Sequence, residues 1–238
     1  MTANPQSDRR RKARASRGKL HLRRCPACGE AMTISPVVID SAEGCRFWSD
    51  GKMDSAALPS LRTHGVCPSC RQAFAFRGLE RLERKAAGAA PVPAALLPDS
   101  DDWMSLAFRA KDDPAAEKFI RVAWWQHLND AWRTGHLRPR PSIDVAWRNY
   151  LDDNLSHLID LLDPAVTDER FLLAEALREL GQFERALGLL VHVPPRKRWF
   201  ASLLSAHAAS GNDSLFGLSK EGDRWQPIAS PMSWDTRA

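Results

Sequence analysis

Few features of this chain point to a known chemistry. It has no GxGxxG, no GxxxxGK followed by Ser or Thr, no HExxH and no GxSxG. The dinucleotide cradle, the phosphate loop, the zinc-protease helix and the nucleophile elbow therefore all lack their parts. No run of about 18 apolar residues is present to span a bilayer. The opening "MTANPQSDRRRKARASRGK" has no apolar middle, so it reads as a basic tail and not as a secretory signal. Tyrosine occurs once, leaving nine tryptophans and nine phenylalanines as the aromatics.

Cysteine is scarce and odd in number. Of five, four fall into two Cys-x-x-Cys pairs, Cys25 with Cys28 and Cys67 with Cys70. That pattern argues for metal rather than a disulfide framework, and so for a reducing compartment, the cytoplasm.

What is present is charge of one sign at one end. Nine Lys or Arg stand against Asp8 alone in residues 1–24, while the whole chain carries only +5, so the remainder is net acidic. Such an arm can neutralise phosphates in a salt-dependent way, or simply be solvated.

Composition divides the 238 residues into five stretches: a basic tail over 1–22, a cysteine module over 23–77, a short helix with an Ala/Pro linker over 78–99, a helical part over 100–218 and a C-terminal tail over 219–238. In the helical part Asp113 reads as an N-cap, Pro114 as the first helical residue and Gly135 as the stop. Ile120, Trp124, His127, Leu128 and Ala131 form one stripe there, with Trp125 and Trp132 beside it, so this helix is expected near the centre of the domain. Further helices are expected from about Asp153, from a cap at Thr167 with inner face Leu173, Leu177 and Leu180, across Phe183 to Leu190 after a turn at Gly181, and from about Lys197 to Ser210. The C-terminal tail has no periodicity, though Trp225 and Trp234 suggest docking onto the helices or onto a partner.

The metal reading rests on "RRCPACGEAM" and "GVCPSCRQAFAF". Zinc takes four thiolates tetrahedrally, and a two-residue gap lets a tight turn bring both sulfurs of a pair to one ion. The proline inside each pair presets its backbone angle, and Gly29 suits a residue that must turn back; Arg71 stands at the matching place in the second pair. This resembles the zinc-ribbon families, in which cysteine knuckles sit at the ends of short β-hairpins. The resemblance implies Cys25, Cys28, Cys67 and Cys70 as ligands of one structural Zn2+. The 38 residues between Cys28 and Cys67 exceed the usual spacing, and "CRFWSDGKM" within them reads as a strand and a turn, an enlarged hairpin. Cys45 and His64 compete as ligands, each read first as a bystander, and a redox dithiol is the rival for each Cys-x-x-Cys. Arg24, Arg71 and Arg46 are read first as neutralisers of the thiolate charge and second as phosphate contacts.

Residues 171–190 resemble a tetratricopeptide repeat, with Ala174, Gly181, Phe183 and Ala186 at that repeat's small, turn, aromatic and second alanine positions. The whole is similar to bacterial proteins of unknown function that join a zinc ribbon to tetratricopeptide-like helices. The expected fold is a small β zinc ribbon followed by an all-α, tetratricopeptide-like helical-hairpin domain. The expected function is a non-enzymatic zinc-binding adaptor, soluble and not membrane-bound, whose helical domain holds a protein partner. The alternative is a nucleic-acid binder using the basic tail and Arg46, Arg62 and Arg71. A catalytic site around His127, Asn129 and Asp130, or around Asp152, Asp153 and Asp160, is the third reading. The tryptophans Trp124, Trp125, Trp132 and Trp147 are read as core before groove.

Overall fold

The computed structural model describes residues 16–17, 20–34, 37–38, 45–55, 63–83, 91–133, 145–221 and 224–228. Most of the basic tail, Arg62, Gly135 and Trp234 lie outside them.

Short antiparallel hairpins make the first part. β1 (Ser16–Arg17) pairs with β4 (Val37–Val38), β2 (His21–Arg24) with β3 (Ala31–Ile34), and β7 (His64–Val66) with β8 (Ala73–Ala75). The insert between the cysteine pairs forms its own hairpin, β5 (Cys45–Trp48) and β6 (Met53–Ser55), turning at Ser49-Asp50-Gly51 as its sequence suggests.

The described residues of the next stretch, 78–83 and 91–99, form neither the expected short helix nor a free spacer. Leu82 donates its N–H to the Leu22 carbonyl and Arg24 to that of Glu80, so 80–82 lie along β2. Residues 91–96 of the Ala/Pro stretch run as a strap over both knuckle hairpins. Thr33 donates to Pro93 O at 2.8 Å, Ala95 to Thr33 O at 2.9 Å, and Leu96 exchanges two bonds with Val66. Prolines keep such a strand extended, and their carbonyls still accept; here those acceptors are met by the ribbon instead of water.

The rest is helical: α1 (Ser100–Ala110), α2 (Pro114–Leu128), α3 (Asp130–Arg133), α4 (Val145–Leu161), α5 (Thr167–Glu179), α6 (Phe183–Leu190) and α7 (Arg198–Ala209). Asp99 and Asp102 form a reciprocal capping box at the start of α1. Asp113 caps α2 through the amides of Ala115 and Ala116, with Pro114 at its first turn, as read from the sequence. Elsewhere the boundaries shift. The residue before α5 is Val166, with no side-chain cap, and Thr167 is already helical. α4 begins eight residues ahead of Asp153 because Trp147 and Leu151 also face the core. α5 and α7 each close on a glycine with positive φ, Gly181 (75°) and Gly211 (66°). In both, the next amide reaches back to the third-last carbonyl of the helix, Gln182 to Leu177 and Asn212 to His207, satisfying acceptors the helix leaves over.

α5, more than the tryptophan-rich α2, is the enclosed element: apart from Leu172 every residue from Phe171 to Glu179 is buried. Its one side joins Trp124, Trp125, Leu155 and Leu158, and its other packs through Phe171 and Ala174 on Phe200 and Leu204. Val66 and Ala73 of the cysteine module belong to the same apolar cluster as α1, α2 and α4.

The chain's last described elements return to its first part. β9 (Gly217–Glu221) pairs antiparallel with β5, and β10 (Arg224–Pro227) with β9, giving the order β10-β9-β5-β6. Trp225 packs against Phe47 at 6.2 Å between ring centroids. A stretch with no visible periodicity is thus a hairpin, because it completes a sheet whose other half lies about 170 residues earlier.

Candidate metal centre

The two knuckles have the same local build. Cys25 N–H bonds to Glu30 O and Gly29 N–H to Cys25 O; Cys67 N–H bonds to Gln72 O and Arg71 N–H to Cys67 O. Each is the closed end of a hairpin, β2–β3 or β7–β8. Gly29 has φ 79° and Arg71 has φ 62°, so the second knuckle takes the same left-handed turn without a glycine. That conformation disfavours a side chain, and Arg71 holds it as the only non-glycine with positive φ among the described residues.

The four sulfurs lie within 4.8 Å of one another. Cys25 Sγ is 3.7 Å from Cys70 Sγ and Cys28 Sγ is 3.7 Å from Cys67 Sγ, so the close contacts run across the knuckles. A tetrahedron with metal–sulfur bonds of about 2.3 Å has edges of about 3.8 Å, which these separations match. They are far from the roughly 2.05 Å of a disulfide. These four cysteines could hold one metal ion. Cys25 and Cys67 are buried, and Cys28 and Cys70 are exposed. The crowding has an electrostatic mark. The Glu30 amide draws the Cys28 thiol down, yet desolvation and the sulfurs of Cys70, Cys25 and Cys67 push it up to about 12. Cys67, which desolvation raises, is drawn down to about 7 by the amides of Cys70 and Ser69 and by the facing thiols. Four such sulfurs ionise together only around a cation.

Protein-family models, curated proteins and solved structures were all compared with the chain, and none matches. The site is therefore read from its own chemistry.

The competing ligands stand apart. His64 is buried at 2% exposure, its Nδ1 2.8 Å from the Thr63 hydroxyl and its ring between Trp103 and Phe119. Burial lowers it to about 4. Cys45 is buried on β5. Neither belongs to the sulfur cluster. Of the three arginines expected to offset the thiolate charge, Arg24 bonds Glu80 at 2.8 Å and the Gly29 carbonyl at 3.1 Å, which ties it to the first knuckle. Arg71 lies 4.0 Å from Asp102. Arg46 instead covers the Trp48 ring at 5.6 Å in the four-stranded sheet.

The residues proposed for a polar site around His127 are locked into structure. His127 lies against Trp103, and burial, with Asp130 opposing and Lys52 reinforcing, lowers its pKa. Asp130 holds Lys52 at 2.6 Å and Arg133 at 2.8 Å. Asn129 caps α2 and donates to Asp50 and Glu179. Asp152 pairs with Arg148, Asp160 is exposed, and Asp153 lines a shallow cleft of about 380 Å³ with Phe108, Trp124 and His157. Trp124 and Trp125 are core, Trp125 donating to Glu179 at 2.9 Å, while Trp147 donates to Leu128 O and packs edge-on against Trp132.

A buried ionic knot went unseen in the sequence. Asp50, at the tip of the insert hairpin, accepts from the Lys52 amide, the Asn129 side chain and the Arg133 guanidinium. Arg133 also donates to the Gln126 carbonyl, and Gln126 to the Asp50 carbonyl. On α5, Arg178 holds Glu175 through two bonds and the carbonyls of Asn212 and Ser214, and its guanidinium lies over Phe216. Glu179 sits between the two groups, and burial and the adjacent Glu175 raise its pKa well above the usual carboxylate range. The only sequence signal was the charged run Glu175, Arg178, Glu179 on a helix whose apolar face was read elsewhere.

Proposed function

We propose that this chain is a non-enzymatic, zinc-binding adaptor. One Zn2+ is held by Cys25, Cys28, Cys67 and Cys70, and a protein partner binds the helical part, whose hairpin over 171–190 resembles a tetratricopeptide unit. The four-sulfur cluster carries the reading: protein thiolates supply every position of a tetrahedral ion, which leaves no open position for a substrate. Zinc then acts through folding and not through chemistry. Large apolar side chains exposed on helices and at their ends support the partner role, among them Phe108, Val191 and Trp199. The test is purification from the native cell with zinc retained. About one zinc per chain and a defined co-purifying protein are expected; a metal-free chain that is fully folded overturns the zinc reading, and a protein recovered alone overturns the adaptor.

A second reading, nucleic-acid binding, rests on the nine basic residues among the first 24. Deleting residues 1–22 should then abolish retention of DNA or RNA at low salt. An intact chain that binds neither ends this reading.

A further inference from the structure

Between the starts of α5 and α7 and the end of α6 lies an open groove of about 850 Å³. Its charge is of one sign: Arg170 and Arg198 line it beside the imidazole of His192, and no carboxylate among the described residues does. The acidic residues next to it in sequence are already engaged, Asp168 with Lys197 at 3.2 Å and Glu169 with Lys118 at 2.7 Å. Arg170 is fixed by its bonds to the carbonyls of Pro164 and His192, which hold its guanidinium at the groove wall. Arg198 is exposed, its amide donating to the Pro195 carbonyl, and among the described residues no hydrogen bond or ion pair occupies its guanidinium. Thr167, Ser202 and Ser205 add hydroxyl groups, and Leu190, Val193 and Ala201 an apolar floor.

We infer that this groove binds an acidic segment of a protein partner in which carboxylate side chains alternate with aliphatic ones. The inference rests on the adaptor reading and names the partner chemistry for it. Arginine guanidinium groups match carboxylates in charge and in fork geometry. The aliphatic floor favours a peptide over a nucleic acid, because single strands are held mainly by stacking on aromatic rings and the groove lining contains none but His192. The volume lies within the roughly 300–1,000 Å³ of ligand clefts, enough for a few side chains.

The experiment pans a phage-displayed library of random dodecapeptides against the zinc-loaded full chain and measures the most enriched peptide by fluorescence anisotropy. Enrichment in Asp and Glu is expected. Arg198→Glu should weaken binding by about tenfold or more, and Arg198→Lys by much less. Arg185→Glu, an exposed charge on α6 outside the groove, should leave it unchanged. Enriched peptides without acidic residues, or binding indifferent to Arg198→Glu, overturn the groove assignment. So does an oligouridylate that displaces the peptide at equal concentration, which would assign the groove to nucleic acid. If peptides bind but depend on Phe108 instead, the adaptor stands and only the groove falls. If no peptide is enriched and no protein co-purifies from the cell, both fall.

Discussion

Arg133, at the end of α3, places its guanidinium on the carboxylate of Asp50, at the tip of the insert hairpin, with side-chain exposures of 2% and 0%. Two parts of the chain 83 residues apart are thereby joined by a sealed ion pair. Asp50→Asn leaves a buried cation short of one partner, and removing half of such a pair typically costs about 3–5 kcal/mol. Urea unfolding should show that loss. Arg133→Gln combined with Asp50→Asn should cost less than the two single changes together, since neither then leaves a lone charge.

Replacing Cys67 by Ser should remove zinc and loosen more than the ribbon. Two domains joined only by a spacer over 78–99 would let the helices survive such a change largely intact. Yet Val66 and Ala73, directly bordering the second knuckle, are packed into the helical core, and Arg109 of α1 bonds the Ala73 carbonyl at 2.9 Å. The helical circular-dichroism signal should melt at a lower temperature in Cys67→Ser and after chelation, alike in both. An unchanged helical melt would mean that the two parts fold separately.

His64 predicts an acid-side loss. Its ring titrates near 6.5 when unfolded and about 4 when folded, so folding favours the neutral form. That preference is fully present above pH 6.5 and is lost as the pH falls from 6.5 through 4, on the order of 3 kcal/mol in all. Protonation of the cysteine thiolates also weakens the folded state in acid, so the informative measurement is a difference. Between pH 6.5 and 4, the parent chain should lose that much stability relative to His64→Phe.

Glu179 works in the opposite sense. Its folded pKa is raised, so the fold favours the protonated acid, and that contribution shrinks as the pH rises from the unfolded value near 4.5 towards the folded one. Glu179→Gln keeps the shape without the charge and should be neutral to stabilising at pH 8. A strongly destabilised variant would mean that the carboxylate is ionised there.

The four-cysteine cluster was legible because its signal is local. Cys-Pro-x-Cys fixes a turn and two ligands within four residues, and chemistry alone limits what two such turns can do together. The helical caps at Asp113 and Gly181 were legible for the same reason. What stayed hidden depends on distant pairing. Leu218 meets Phe47, and Ser49 donates its N–H to the Phe216 carbonyl, across most of the chain, with no alternation in 217–227 to announce a strand. The strap at 91–98 was read as a spacer from its prolines, but an extended chain is equally suited to lie along a hairpin edge. Asp50 looked like an ordinary turn residue, since nothing around it reveals that an arginine 83 positions later covers it.

The pairing of β9 with β5 also orders events during synthesis. Both knuckle hairpins leave the ribosome early, and the strap at 91–96 that bonds to each of them follows within about 30 residues. The insert hairpin is different: two strands alone are marginal in water, and the edge of β5 stays open until Gly217 has emerged. For most of translation the nascent chain therefore carries a sticky, unfinished sheet beside the completed cysteine hairpins. A chaperone that shields that edge would act in the interval between them.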